Sequence, residues 1–316
     1  MSGLAPIVLF VFRRPVHTAR VLESLALNAE LEHSELIVYC EGARNDGERE
    51  AVAATRRLVR AHARAGIVRI IERDQNLGCA ASILAGINDV LGTHDRIIVL
   101  EDDLVVSRFF LEYMNAALNR YSEDPSVLHV SGYMFPNDFA KSDTALVLPL
   151  TSSWGWGTWS RAWPNFDTTL KALPWLDASA LRRFRFDVLG AFPYRAMLTQ
   201  YQRAEIDAWD IRWYLGCFRV SGKAIFPGRS LVANIGFDDT GTHATDQTFT
   251  ESPEAIAERR IKVWPSSSRS LWRNLIGLSM VIARARSWKQ RMRALATEIL
   301  IRPLRLPKRA GAGENP

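Results

Sequence analysis

The chain has 316 residues, 47% hydrophobic and 23% charged, with three cysteines and a formal net charge of +6. That composition excludes a disordered or fibrous protein, and Cys40, Cys79 and Cys217 lack the spacing of a disulfide framework or a thiolate zinc site, so a reducing cytosol fits. The charge hints at nucleic acid, but residues 269–309 hold eleven Lys or Arg against the single acid Glu298, and residues 1–268 are slightly acidic, so no nucleic-acid partner is expected.

Four apolar runs open the chain: Ile7 to Phe12, Leu36 to Cys40, Val68 to Glu72 and Arg96 to Leu100. Each reads as a buried strand. The first has no basic residues before it and no small-residue cleavage site after it, so it predicts a strand and not a signal peptide. Val16 to Asn28, Gly47 to Ala65 and Cys79 to Leu91 carry helical periodicity. Strands alternating with helices predict an α/β fold, a mainly parallel sheet flanked by helices. Such sheets bind ligands beyond the carboxyl ends of their strands. Those ends read Arg13-Arg14-Pro15, Glu41-Gly42, Arg73-Asp74-Gln75-Asn76 and Glu101-Asp102-Asp103, so four charged clusters converge on one edge.

Further on, Phe109 to Tyr121 predicts a helix, and Val127 to Ser131 and Thr144 to Leu150 predict strands. Between Ser152 and Trp159 the tryptophans Trp154, Trp156 and Trp159 are separated by glycines and Thr158, a pattern too broken for a regular element. It predicts a loop whose rings stack on the face of a ligand and close over it; the alternative is a hydrophobic plug on the sheet. Ala178 to Gly216 reads as helical. Within it Asp207 and Asp210, three apart, share a face with Trp213, and a carboxylate beside aromatics suits a general base. The alternatives are a helix cap for Asp207 and an ion pair with Arg212 or another cation for Asp210. Ala224 to Phe226 predicts a short strand, and Asn234 to His243 a polar glycine loop.

Residues 251–309 read as a helical segment, and between Leu271 and Leu306 its Leu, Ile, Trp and Met are interleaved with Arg284, Arg286, Lys289, Arg291, Arg293, Arg302 and Arg305. This suits an anionic membrane surface, with packing on the catalytic domain as the alternative. Residues 310–316 read as a disordered tail. No stretch reaches the roughly eighteen apolar residues that suggest a membrane-spanning helix.

Three adjacent carboxylates at the lip of an apolar sheet repel one another and are costly unless a cation or donors compensate. A hard divalent cation, Mn²⁺ or Mg²⁺, would do so and leave positions open for phosphate oxygens; a solvated turn is the alternative.

Leu100-Glu101-Asp102-Asp103-Leu104 resembles the acidic signature of GT-A glycosyltransferases, in the E-D-D form of the N-acetylglucosaminyltransferase I type. Phe12-Arg13-Arg14-Pro15, Cys40-Glu41-Gly42 and Arg73-Asp74-Gln75-Asn76-Leu77-Gly78 follow the order of features in family 2 transferases, the last similar to their N-x-G element. The resemblance to bacterial family 2-like sugar transferases spans about residues 5–245, including Ser152 to Trp159 and Asn234-Ile235-Gly236-Phe237.

That resemblance implies a GT-A domain over 1–250, with a nucleotide-sugar half (1–125) and an acceptor half (126–250). It implies that Asp103 ligates the metal and His243 closes the metal site. Glu101 and Asp102 would contact donor sugar and ribose, and Glu41, where the family usually has Asp, the nucleobase. Arg14 would lie near the diphosphate. Arg13 and Arg73 would reach phosphate, or else form surface charges or internal ion pairs. Asn76, Trp154 and Trp156 complete the donor side, and Asp207 is the implied base. The implied reaction is metal-dependent, inverting transfer from a nucleotide-sugar, a UDP-sugar such as UDP-GlcNAc. The acceptor would be a hydroxyl of a glycan or lipid-linked molecule in surface polysaccharide or glycoconjugate synthesis, with the protein peripheral on the inner face of the cell membrane.

The competing readings are a sugar-1-phosphate nucleotidyltransferase, whose G-x-G-T-R-type opening is missing here, and a non-catalytic membrane-associated nucleotide-sugar-binding protein. A glycoside hydrolase also pairs acids, but it requires neither a cation site nor a phosphate cluster.

Overall fold

Every residue of Ile7–Val11 is buried, as a strand covered by helices on both faces requires. The computed structural model describes residues 3–62, 67–137, 143–238, 252–263 and 268–285. In chain order the elements are β1 (Ile7–Val11), α1 (Pro15–Ala26), β2 (Glu35–Cys40), α2 (Arg49–His62), β3 (Ile67–Glu72), α3 (Cys79–Leu91), β4 (Arg96–Glu101) and β5 (Leu104–Val106). Then come α4 (Phe110–Arg120), β6 (Val127–Ser131), β7 (Leu146–Leu148), β8 (Trp156–Trp159), α5 (Leu173–Asp177), α6 (Ala180–Phe186), α7 (Tyr194–Gln202), α8 (Asp210–Arg219), β9 (Lys223–Phe226), β10 (Val232–Asn234) and α9 (Ser268–Ala285).

The main sheet has eight strands in the order β3-β2-β1-β4-β8-β6-β9-β7. β1 is parallel to β2 and β4, and β2 to β3, so the first four strands all present their carboxyl ends on one edge. β8 then runs antiparallel between β4 and β6. Strands from both halves of the chain therefore join one sheet. A separate antiparallel ribbon pairs β5 with β10, Leu104 opposite Asn234, and places residues 235–238 over the exit of β4.

The α/β architecture agrees with the sequence, and four local expectations are corrected. Trp156–Trp159 is a buried strand and not a flexible loop, because its backbone bonds to β4 and β6 on either side. The region from Ala178 to Gly216 is three separate helices, α6, α7 and α8. The strand expected over Thr144 to Leu150 is confined to Leu146–Leu148. Asp207 lies before α8, whose first residue is Asp210, so the two carboxylates do not share a helical face. His243 and residues 286–316 lie outside the described residues.

Candidate active site

α1 opens with Pro15 in its first turn, where a missing N–H is harmless. This fixes Arg14 at the helix start. The guanidinium turns back over the sheet edge, with Nη1 3.0 Å from Asp103 Oδ2 and 3.7 Å from Asp102 Oδ1. The Phe12 N–H donates to Asp102 Oδ2 at 3.1 Å, so the β1 loop holds the β4 exit at two points. On the other side the ribbon closes in: the Ile235 N–H donates to the Asp103 carbonyl at 2.8 Å. Gly236 sits so close that a Cβ there would collide with Asp103 Oδ2, and only glycine leaves the carboxylate in place.

The triplet keeps more negative charge than these donors neutralise. Burial, with the charge of Asp103 next, pushes Asp102 up to about 7, against the pull of Arg14 and the Phe12 N–H. Glu101 is raised by burial first, then by Asp103, Asp102 and Asp210. Asp103 is raised by burial and pulled down by Arg14 and His17. Asp210 thus belongs to the same electrostatic site as the triplet. The thiol of Cys79, at the start of α3, is raised by burial, then by Glu101 and Asp207, which places Asp207 at the same rim.

Not every strand-end charge joins this group. Arg13 is 3.4 Å from Glu48 and rests on the Phe12 ring, and so turns away from Arg14's cluster. Arg73 Nη1 reaches Glu41 Oε2 at 3.4 Å, its Nη2 donates to the Ser82 carbonyl at 3.0 Å, and the group lies over Tyr39. Glu41 Oε1 accepts from the N–H groups of Gly42 and Leu77. Asn76 donates to the Gly42 carbonyl and accepts from the Gly78 N–H. Glu41, Arg73 and Asn76 therefore brace the β2 and β3 loops against each other. Arg13 and Arg73 thus each form an ion pair with a carboxylate of the chain, the alternative named for them.

The tryptophans divide. Gly155 has φ of 60°, which breaks the side-to-side alternation of a strand. Beyond it Trp156 is fully buried, stacked on His129 at 5.2 Å and surrounded by Trp163, Trp209 and Trp213. A ring enclosed in this way offers no face to a sugar, so Trp156 is a core residue and its donor role is withdrawn. Trp159 is likewise buried, its indole N–H on the Leu118 carbonyl. Trp154 stays half-buried, edge-on to Tyr133 at 4.6 Å and to Phe237 at 5.7 Å. Ser153 Oγ lies 3.5 Å from Asp210 Oδ2, linking this segment to the acid at the start of α8.

Sequence reasoning passed over His17, whose Nε2 is 3.1 Å from Asp238 Oδ2 and whose charge acts on Asp103. Its position three residues after Arg14 was the available signal. Tyr133 and Phe237, which frame Trp154, carried no such signal because only the fold brings them together.

Residues 7–170 match the family model described as Glycosyl transferase family 2. The chain belongs to this family. Family 2 membership makes it a glycosyltransferase that uses a nucleotide-sugar donor, and the match ends before Asp207 and Asp210. No curated protein matches the sequence. Among solved structures, a cytidylyltransferase from Leptospira borgpetersenii is 11% identical over 57% of this chain and 73% of its own, with a TM-score of 0.34. An active-site mutant of LgtC is 12% identical over 70% and 72%, with a TM-score of 0.36. The glycosyltransferase GlyE of Streptococcus pneumoniae is 10% identical over 94% and 64%, with a TM-score of 0.32. Likenesses this loose add nothing to the family assignment.

Proposed function

We propose that this family 2 enzyme catalyses inverting, divalent-cation-dependent transfer from a UDP-sugar to a hydroxyl of a glycan or lipid-linked acceptor. The observation that carries the reading is the Glu101-Asp102-Asp103 cluster, crowded at the exit of β4 with Arg14 as its main counter-charge. Its donors are all carboxylate oxygens, the ligand type of Mn²⁺ and Mg²⁺. Among the described residues no three His, Cys, Asp or Glu converge as a ready-made metal site. A cation taken up together with a diphosphate needs only one or two protein carboxylates. Asp103, with Asp102 behind it, would hold it, and His243 is the candidate further ligand. When bound, the ion supplies positive charge for the departing diphosphate.

The remaining steps belong to the chain. Arg14, at the start of α1, faces the diphosphate once it is released from Asp103. The braced loop of Glu41, Arg73 and Asn76 forms the wall for the nucleobase. Trp154, with Tyr133 and Phe237, offers an aromatic edge to the sugar. For the proton of the acceptor hydroxyl we assign Asp210 ahead of Asp207. Asp210 is half-buried, beside Ser153 and in the field of Glu101, whereas Asp207 is exposed and precedes the helix. Residues 1–250 are the catalytic domain in this reading, and the basic segment 251–309 holds it at an anionic membrane. No helix among the described residues is long and apolar enough to cross one.

A panel of nucleotide-sugars with Mn²⁺ or Mg²⁺, read by thermal shift and donor hydrolysis, tests the proposal. Cation-dependent turnover of one UDP-sugar is expected; equal turnover in chelator refutes the metal, and a nucleotidyl product refutes the reaction class.

A further inference from the structure

Large exposed apolar side chains are concentrated on one part of this protein. Among the described residues there are nine, and six of them are Leu181 and Phe184 of α6, Val220 just after α8, and Trp272, Ile276 and Met280 of α9, each at least 47% exposed. On α9 the three recur at four-residue intervals along one side. The opposite side buries Leu275, Leu278 and Ile282, and Asn274 donates to the Val147 carbonyl of β7 at 3.1 Å. A helix already docked through one apolar stripe has no aqueous reason for a second on its outer side.

Contacts join these residues into one surface. The Arg185 guanidinium of α6 lies over the Trp272 ring of α9 at 4.9 Å. Arg182 and Arg219 lie over the Trp175 ring at 4.6 and 4.8 Å, which ties α6 to the end of α8 beside Val220. The surface is also basic. Neither α6 nor α9 contains an acid, while they carry Arg182, Arg183, Arg185, Arg273 and Arg284. Arg182 and Arg183 donate to main-chain carbonyls of Trp175 and Asp177, which leaves their charge in place. The flanking acid Asp177 is engaged by both Arg195 Nε and Nη2, at 2.6 and 2.7 Å.

We propose that this face of α6 and α9 docks on an anionic lipid bilayer, with Leu181, Phe184, Trp272, Ile276 and Met280 entering the headgroup boundary and the arginines meeting lipid phosphates. Apolar projections ringed by arginine match that interface, where near-surface bases are drawn to anionic headgroups. The inference rests on the membrane-facing reading of residues 251–309, within which α9 lies, and extends it to α6, which lies outside that segment.

The test is flotation of the full-length protein with phosphatidylcholine vesicles with and without phosphatidylglycerol. One variant combines Ile276→Ser and Met280→Ser, a second Leu181→Ser and Phe184→Ser, and a third replaces Arg286, Lys289, Arg291 and Arg293 with Gln. All three variants are read alongside the melting temperature, which should be unchanged for the two exposed serine variants. Binding to the anionic vesicles, weakened at least tenfold in the first two variants, is expected. Wild-type binding in both variants overturns the inference, as does equal binding to phosphatidylcholine alone. Loss in the third variant only supports the basic segment and overturns this surface; loss in the first two only does the reverse. A fluorophore on Met280→Cys, in a Cys79→Ser background, should shift to the blue on anionic vesicles, and an unshifted spectrum also overturns the proposal.

Discussion

Arg14 and Asp103 form the closest charged contact of the candidate site, with Nη1 3.0 Å from Oδ2. The guanidinium stands where a bound cation would meet that carboxylate, so Arg14 serves as the counter-charge of the resting protein. Removing one partner of a largely buried pair leaves the other uncompensated, at a cost of about 3 kcal/mol. Arg14→Ala is expected to lower stability by that order near neutral pH and to regain part of it on adding Mn²⁺. Asp103→Ala is expected to keep the fold and lose donor turnover by at least about a hundredfold, as removal of a group acting on transition-state charge does. Urea unfolding with and without Mn²⁺, and donor hydrolysis, check both; an active Asp103→Ala enzyme refutes the assignment.

The triplet also sets a pH dependence. Asp102 titrates near 7 in the folded chain, and Glu101 and Asp103 are raised too, whereas unfolded carboxylates titrate near 4. A raised carboxylate contributes stability that is complete below its unfolded value and is lost as pH rises through the folded one. The metal-free protein should therefore lose this contribution between about pH 4 and pH 7. Cation binding must displace the retained protons, so the thermal shift given by Mn²⁺, read as the difference in melting temperature with and without the ion, should grow from pH 5.5 to pH 8. A flat profile contradicts the site.

His129 gives the opposite slope. It is buried under Trp156, its Nδ1 accepts from the Trp213 indole at 3.1 Å, and burial holds its pKa down to about 3. A depressed histidine contributes stability present above its unfolded value, near 6.5, and lost as pH falls toward the folded one. The slope approaches roughly 1.4 kcal/mol per pH unit once the unfolded ring is charged. His129→Gln retains an acceptor for Trp213 and should flatten acid unfolding below pH 6 in urea titrations. Unchanged acid sensitivity excludes His129 as its source.

What the sequence disclosed follows from what each pattern depends on. β1 to β4 and α1 to α3 were legible because a buried parallel strand is a continuous apolar run, and its crossover helix carries its own periodicity. The strand Trp156–Trp159 was not, because its partners β4 and β6 are far away in sequence and its glycine reads as a breaker. Arg13 and Arg14 look equivalent as neighbours; only the turn into α1 sends one to Asp103 and the other to Glu48. The β5–β10 ribbon, which brings Gly236 against Asp103, is made of three-residue strands too short to carry a period.

Trp154 and Trp156 should separate cleanly on substitution. Trp156 is enclosed by His129 and three other tryptophans, and truncating a buried aromatic costs about 3–5 kcal/mol. Trp154 is half-buried between Tyr133 and Phe237 at the mouth of the site. Trp156→Ala is expected to unfold at markedly lower denaturant, while Trp154→Ala should stay within about 1 kcal/mol of the parent and lose donor affinity. Denaturation midpoints and KM for the donor distinguish them; a stable Trp156→Ala would return that ring to the substrate.

The two acids of the acceptor side divide in the same way. Asp210 opens α8, lies against Ser153 and raises Glu101, so its charge is felt inside the site. Asp207, three residues earlier, is exposed and acts on Cys79 at the rim. A general base contributes typically a hundredfold to ten-thousandfold, roughly 3 to 5 kcal/mol of barrier. Asp210→Asn is therefore expected to lower kcat by about a hundredfold or more with donor binding retained, because the amide keeps the shape and loses the proton acceptor. Asp207→Asn should lower it far less. Transfer rates alone could reflect a displaced helix, so donor hydrolysis and the thermal shift with UDP and Mn²⁺ are measured beside them, and both should survive in Asp210→Asn. If Asp207→Asn proves the inactive variant and Asp210→Asn retains transfer, the roles are exchanged.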